Sequence, residues 1–326
     1  MRKKKVLICG ATGFIGRNIA EAFMEREDFE VYGTYLKSEP LNMHGINMIQ
    51  ADLTDRVDVN RVTQGVDIII QAAATTSGAN EIVNKPFYHV TDNAVMNSLI
   101  FRAAHEHNVS HVIFFSCTVM YKSSNNPVKE TDFDANGDIY PKYFGTAWTK
   151  LYIEKMCEFY SGIGPTKYTA IRHSNIYGPH DKFDLERSHV FGATMTKVMT
   201  SESGAITVWG SGEEERDLLY VSDLVDFVEL SIDKQKANYE LLNAGSGEAI
   251  SVNNLVKKII ACSGNDIRIE YDISKPTINT SLCLDSSKSL DLLGWKPQVS
   301  LDEGIRITME WYKENVIKMD GVACDC

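Results

Sequence analysis

Val6-Leu7-Ile8-Cys9-Gly10-Ala11-Thr12-Gly13-Phe14-Ile15-Gly16 is the stretch on which the fold turns. Its opening residues are apolar without alternation, which fits a strand covered on both faces. Apolar residues then recur at Phe14, Ile15, Ile19, Ala22 and Phe23, the spacing of a helix with one buried face. Between them lies a bend with G-x-x-G-x-x-G spacing. Glycines there let backbone N–H groups approach a pyrophosphate at the positive end of the helix dipole. Strand, bend and helix in succession predict a dinucleotide site made by Gly10, Thr12, Gly13, Phe14, Ile15 and Gly16.

The alternation continues outward. Strands are expected over 6–9, 30–35, 48–51, 66–73 and 112–115, and helices over 14–26 and 95–107. This order predicts an α/β protein with a Rossmann-type, doubly wound parallel sheet whose ligands lie beyond the carboxyl ends of the strands. Asp52 and Leu53 after the third strand, and Ala72, Ala73 and Ala74 after the fourth, join the expected coenzyme contacts. The second strand ends Tyr32-Gly33-Thr34-Tyr35-Leu36-Lys37-Ser38, without the acid that NAD sites place on the ribose 2′-hydroxyl. Lys37, or Arg17 in the first helix, suits a 2′-phosphate instead, so NADP is expected over NAD; a solvated surface lysine is the rival reading of Lys37.

The second half is less regular. It predicts a helix over 144–160, a strand over 168–171, a helix over 190–200, and a return to the first domain over 218–230. No repeat or low-complexity linker separates the halves. A smaller C-terminal lobe is therefore expected to interweave with the first: 1–172 plus about 217–244 for the coenzyme, about 173–216 plus 245–326 for the substrate.

Composition narrows the class. A chain of 326 residues supports a core without disulfides. With 44% apolar and 24% charged residues it is neither disordered, collagen-like nor coiled-coil. The formal charge of −11 argues against nonspecific nucleic-acid binding, which needs a basic footprint. The apolar run after Met1-Arg2-Lys3-Lys4-Lys5 is too short for a signal-peptide core, and no later run suits a membrane span. The scattered cysteines Cys9, Cys117, Cys157, Cys262, Cys283, Cys324 and Cys326 read as free thiols of a reducing cytoplasm. Cys324-Asp325-Cys326 has no partner His or CxxC, so no metal is expected.

Further segments complete a pattern: Lys150-Leu151-Tyr152-Ile153-Glu154, Asn175-Ile176-Tyr177-Gly178-Pro179-His180-Asp181, Arg187-Ser188-His189-Val190, Val208-Trp209-Gly210-Ser211-Gly212, Arg216-Asp217-Leu218 and Leu293-Gly294-Trp295-Lys296-Pro297. With the glycine bend they resemble the extended short-chain dehydrogenases/reductases that act on nucleotide sugars, and within these the GDP-fucose-synthase-like epimerase/reductases. The resemblance implies NAD(P)-dependent chemistry on a nucleotide-activated sugar, most plausibly reduction of a 4-keto group with or without epimerisation, in a homodimer. It implies that Lys150 holds the nicotinamide ribose and lowers a nearby acid's pKa, with His173, Asn175 and Ile176 beside the coenzyme. Asn175, Ser188 and Val190 would line the sugar-nucleotide pocket; Arg187, Trp209 and Arg216 would hold base and diphosphate. His189 would donate a proton during epimerisation, with a helix-capping histidine as the rival reading; for Trp209 the rival is a core aromatic.

The chain departs from that pattern at the reacting centre. The family places a Tyr four residues before the Lys, where one helix face brings them together. Here the position is Thr146, and an aliphatic hydroxyl is no phenolate-type base near neutral pH. Cys117 stands where the fifth strand usually carries Ser or Thr, and Thr118 would serve only if the loop shifts. Near Asp285, the run Asn279-Thr280-Ser281-Leu282-Cys283-Leu284-Asp285 lacks the basic residue of the relatives. Three readings stay open. In one, Tyr143, two helical turns before Lys150, supplies the acid with help from Cys117 or Thr118. In another, His189 performs proton transfer alone. In the third, the protein binds and catalyses nothing.

Overall fold

The computed structural model describes residues 2–75, 87–185, 188–275 and 280–318. Its strands are β1 (Lys4–Cys9), β2 (Phe29–Tyr35), β3 (Ile46–Gln50), β4 (Ile68–Gln71), β5 (His111–Phe115), β6 (Lys167–His173), β7 (Asn175–Tyr177), β8 (Ala205–Trp209), β9 (Glu215–Tyr220), β10 (Tyr239–Ala244), β11 (Ala249–Ser251) and β12 (Arg268–Asp272). Its helices are α1 (Phe14–Met24), α2 (Arg56–Thr63), α3 (Phe87–Glu106), α4 (Phe144–Ile163), α5 (Val190–Met199), α6 (Val221–Lys234), α7 (Val252–Ser263), α8 (Ser287–Leu293) and α9 (Leu301–Tyr312).

A parallel sheet of seven strands runs in the order β10-β6-β5-β4-β1-β2-β3, the doubly wound arrangement expected. Strand direction from β1 to the two sides reverses the winding there, so the crevice beyond β1 and β4 is the ligand position for this topology. The unalternating apolar run of β1 is explained by its two neighbours. Val6 and Ile8 face the α1 and α6 layer with Ile19, Phe23, Leu224 and Phe227. Leu7 and Cys9 face the α2, α3 and α4 layer with Val59, Ile100, Phe101, Ile153 and Cys157.

The lobe has its own core, around Tyr177, Phe191, Met195, Leu255, Ile259, Met309 and Tyr312. It carries a three-stranded sheet, β11-β9-β7, and a two-stranded one, β12-β8. The 218–230 stretch is divided: β9 belongs to this small sheet, while α6 packs under the large one and leads to its edge strand β10. Two buried carboxylates pin the weave. Asp217 accepts from the Ser246 and Leu284 N–H groups (2.8 and 3.0 Å), and Asp223 from those of Gln298 and Val299 (2.9 and 3.1 Å).

Several expectations needed correction. Helix α3 begins at Phe87 rather than near residue 95. Asn93 and Asn97 of this helix are buried. Asn97 accepts from Gln71, and Asn93 is bonded to the Thr75 main chain, so the polar face is an internal one. Helix α2 and strand β10 were not foreseen; the first is short and depends on its Asp55 cap, which accepts from the Val57 and Asp58 N–H groups.

Candidate active site

β1 ends at Cys9, and the chain turns at Gly10 with φ +74°, a conformation cheap only for glycine. The Gly10 N–H donates to Thr34 Oγ1 and the Ala11 N–H to the Thr34 carbonyl, both at 2.9 Å, fastening the bend to β2. A Cβ on Gly10 would lie 2.7 Å from Ala73 Cα, and one on Gly16 would lie 2.2 Å from the Gly10 carbonyl oxygen. Both glycines are thus demanded by the chain's own packing. Gly13 differs: its φ is an ordinary −81°, and a Cβ there would meet the Gly10 oxygen at 3.3 Å and, among the described residues, nothing else within 4 Å. Gly13 is also the N-cap of α1, with no side-chain cap and no acid in the first turn. A bare positive helix end with room above it fits the pyrophosphate of a dinucleotide.

Around this cradle the expected contacts divide. Phe14 and Ile15 turn their side chains to the core, leaving their main chain at the helix start. Leu53 is buried, and Ala72 N–H donates to the Cys9 carbonyl at 3.1 Å, so these too offer backbone rather than side chain. Asp52 receives the Thr54 N–H and hydroxyl at 2.9 and 2.7 Å. Thr12 and Ser38 share a hydroxyl hydrogen bond at 2.7 Å beside the exposed Lys37. Arg17 is drawn away into an ion pair with Glu21 (3.0 Å), which also pairs with His180 at 3.1 Å.

The corner expected from sequence to be catalytic forms where β5 and β6 end against α4. Lys150 reaches across to donate to the Phe115 carbonyl at 2.7 Å and stands 4.8 Å from the Phe114 ring centre. Burial pulls its pKa down, opposed by Cys117 and Glu154. The Cys117 thiol is pushed up by burial, against the pull of Lys150, and its side chain packs on the cluster of Met120, Ala147 and Leu151. The neighbouring Thr118 lines the pocket instead. The turn after β5 is closed by Tyr121 N–H donating to the Thr118 carbonyl at 3.0 Å. Thr146 is half-buried on α4 and is not part of that pocket lining.

The pocket gathers Thr118, Tyr143, Asn175 and Arg216, residues expected from sequence, with Tyr121, Tyr140 and Glu215, which sequence reasoning missed. Of its tyrosines, Tyr121 is committed: its oxygen accepts from Arg172 (2.9 Å) and donates to Asn243 (3.0 Å). Tyr143 sits in the 3-10 turn Pro141–Tyr143 that leads into α4, which carries it into the pocket about two helical turns ahead of Lys150. Burial raises its phenol, with the Arg216 guanidinium opposing. Arg216 is itself fixed by Thr280, donating to its carbonyl at 2.8 Å and its hydroxyl at 3.0 Å. The run that lacks a basic residue is thereby supplied with one from β9. The paired tyrosines of Tyr140-Pro141-Lys142-Tyr143 were the signal that could have exposed the missed wall.

Asn175 apart, the other expected residues lie around rather than in this lining. Asn175 donates to the Asp217 carbonyl at 3.1 Å, and Ile176 packs into the core. His173 donates to the Ser174 carbonyl at 2.8 Å, and burial lowers it to about 4, so it is neutral. His189 is the N-cap residue of α5 but makes no side-chain cap, so the capping reading is set aside. Its ring opens to solvent yet is crowded by protein, and desolvation followed by Lys182 lowers its pKa. Ser188 spends its hydroxyl on the Asp184 carbonyl, and Val190 packs against the lobe core. Trp209 is 49% exposed, not a core aromatic, and lies 5.9 and 5.6 Å from Lys197 and Lys275. Arg187, Cys324 and Cys326 lie outside the described residues. Within those residues no group of His, Cys, Asp and Glu is placed to hold a metal.

Residues 6–245, which include the glycine bend, Lys150, Tyr143 and Arg216, match the NAD dependent epimerase/dehydratase family. The chain belongs to that family. Two relatives match it almost end to end. Putative GDP-L-fucose synthase 2 of Arabidopsis thaliana is 28% identical, over 97% of this chain and 94% of that protein. GDP-L-fucose synthase of Escherichia coli (strain K12) is 26% identical, over 98% of this chain and all of that one (100%). Among solved structures, UDP-glucose 4-epimerase of Thermotoga maritima with UDP-glucose superposes with a TM-score of 0.85 at 23% identity, covering 96% and 99% of the two chains. That likeness speaks to the fold. As a member of the epimerase/dehydratase family the chain is an NAD(P)-dependent enzyme.

Proposed function

We propose that this enzyme reduces the 4-keto group of a nucleotide-activated sugar, with or without epimerisation, and prefers NADP. The observation that carries the reading is the convergence of Tyr143, Thr118 and Arg216 on one pocket. The near-complete overlap with proteins named GDP-L-fucose synthase supports a GDP-sugar. The coenzyme would lie on Gly10–Gly16 and Ala72–Ala74, with the half formed by 1–172 plus about 217–244, and the sugar nucleotide on 173–216 plus 245–326. When bound, the reduced nicotinamide supplies hydride to the keto carbon.

The chain's own residues then have separable tasks. Lys150, anchored by the Phe115 carbonyl, holds the ribose. Tyr143 is kept protonated by its burial and gives that proton to the developing alkoxide, while the Thr118 hydroxyl polarises the carbonyl. Arg216 pairs with the diphosphate, to which a planar guanidinium is matched. His189, whose pKa is lowered by desolvation and then by Lys182, would donate a proton during epimerisation. Lys37 meets the 2′-phosphate.

A homodimer is part of this proposal. Helix α4 exposes Phe144, Trp148, Tyr152, Phe159 and Ile163 along one side, between 37% and 61% accessible, and α3 adds Phe87 and Val95. An apolar stripe of that length is covered economically by a second copy. The described cysteines are all free, as a cytoplasmic enzyme would keep them, and no described helix is long and apolar enough to cross a membrane.

Thermal shifts with NADPH, NADH and GDP-, UDP- and dTDP-sugars test binding, since a ligand of the folded state raises Tm. Oxidation of NADPH in the presence of a 4-keto GDP-sugar tests the reaction. Absence of any dinucleotide shift would overturn the reading at its base.

A further inference from the structure

Behind the pocket lies an ion pair that the mechanism above does not use. Glu154 and Arg172 are 3% and 2% exposed. Arg172 holds Glu154 in a fork, Nε to Oε1 at 2.9 Å and Nη2 to Oε2 at 2.7 Å. Ser116 adds its hydroxyl to Oε1 at 2.5 Å. The other side of the guanidinium donates to the Tyr121 oxygen (2.9 Å) and the Glu130 carbonyl (3.2 Å). Tyr121 continues to Asn243, whose N–H donates to the Glu130 carboxylate at 2.6 Å.

Stability alone does not account for this arrangement. Burying two charges costs about as much as their attraction returns, and apolar side chains of similar size commonly do as well. The fork does bring together the ends of β5 and β6 and the helix of Lys150. Glu154 follows Lys150 by one helical turn on α4. Ser116 immediately precedes Cys117 and Thr118 at the end of β5. Arg172 precedes His173 at the end of β6, and Tyr121 is a pocket wall.

We propose that Glu154 is a positioning residue, tying the helix of Lys150 to the Ser116–Thr118 turn through Arg172. The inference rests on the functional reading of Lys150 above. The charges about Lys150 are few. Glu154 on its own helix raises its proton affinity, Cys117 at the end of β5 acts in the same direction, and burial opposes both. His173 on β6 is neutral, and Arg172 is bonded to both Glu154 and Tyr121. Glu154 is thus a full negative charge that raises the proton affinity of Lys150.

The test uses the whole enzyme with Glu154→Gln and, should an unpaired Arg172 prevent folding, the doubly neutral Glu154→Gln/Arg172→Met. Competitive acetylation across pH, read by peptide mass spectrometry, reports the titration of the Lys150 amine without any substrate. Its midpoint should fall by about one pH unit. The basic limb of the kcat profile should move down with it. Lowered kcat with a nearly unchanged KM for the coenzyme marks positioning rather than binding. A folded variant whose Lys150 titrates as in the parent, with the parent's kcat profile, overturns the proposal. Failure of the parent to turn over any nucleotide sugar would instead overturn the functional reading and leave the acetylation result to decide this one.

Discussion

Replacing Gly13 by alanine separates coenzyme binding from folding. The backbone at Gly13 is one any residue adopts, φ −81° and ψ 167°. The new methyl would touch the Gly10 carbonyl oxygen at 3.3 Å, a contact that a shift of a few tenths of an ångström relieves. Loss of glycine freedom in the unfolded chain returns about 0.4–1 kcal/mol, so the net change in stability should stay within about 1 kcal/mol. The methyl projects, however, where the pyrophosphate must come close to the helix end. Losing that approach should weaken the coenzyme at least tenfold, about 1.4 kcal/mol. Gly16→Ala is the control. Its methyl would sit 2.2 Å from the Gly10 carbonyl oxygen, inside the backbone itself, and should cost about 3 kcal/mol of stability. Titration of NADPH by fluorescence gives Kd, and urea unfolding gives stability. Equal NADPH affinity in Gly13→Ala and the parent would refute the argument that the glycine is there for a ligand.

Other predictions follow from the same geometry. Tyr143→Phe should lower kcat by about 10²-fold with little change in KM, measured by NADPH oxidation, whereas Thr146→Ala should leave kcat within about twofold. Lys37→Ala should weaken NADPH more than NADH by direct titration, and equal losses would remove Lys37 from the 2′-phosphate. Phe159→Glu should convert a dimer into a monomer in sedimentation runs, since it puts a charge into the exposed stripe of α4. His111 and His173 titrate at about 3 and about 4 in the folded chain against an unperturbed 6.5, because burial disfavours their charged forms. Between those values the unfolded chain binds more protons, so these groups lower stability as pH falls from 6.5. Asp181, raised by burial to about 7 from 3.8, works the other way over its own range. His111→Gln should therefore lessen the loss of the urea midpoint on acidification; an unchanged slope would deny that His111 is neutral when folded.

Much of the scaffold was legible because it rests on local rules. The unbroken apolar run of β1 and the glycine spacing after it depend on neighbours in the chain, and the doubly wound sheet followed from their order. The same rules give no sign of the buried bonds of Asn93 and Asn97, whose partners Thr75 and Gln71 come from outside their helix. The site was legible in part. Lys150, Asn175 and Arg216 could be named from motifs, but Tyr121, Tyr140 and Glu215 belong to no motif and reach the pocket only through folding.

The sequence by itself determined the layered architecture and the place of the glycine bend, since strand, bend and helix are consecutive and their geometry is set by sterics and hydrogen bonds within a few residues. Only the tertiary structure decided which hydroxyls share a pocket: that Thr118 rather than Cys117 faces it, that Tyr143 enters it where Thr146 does not, and that Arg216 serves the run near Asp285. Those choices depend on how β5, α4 and β9 pack together. Residues far apart in sequence meet there, and no local pattern encodes the contact.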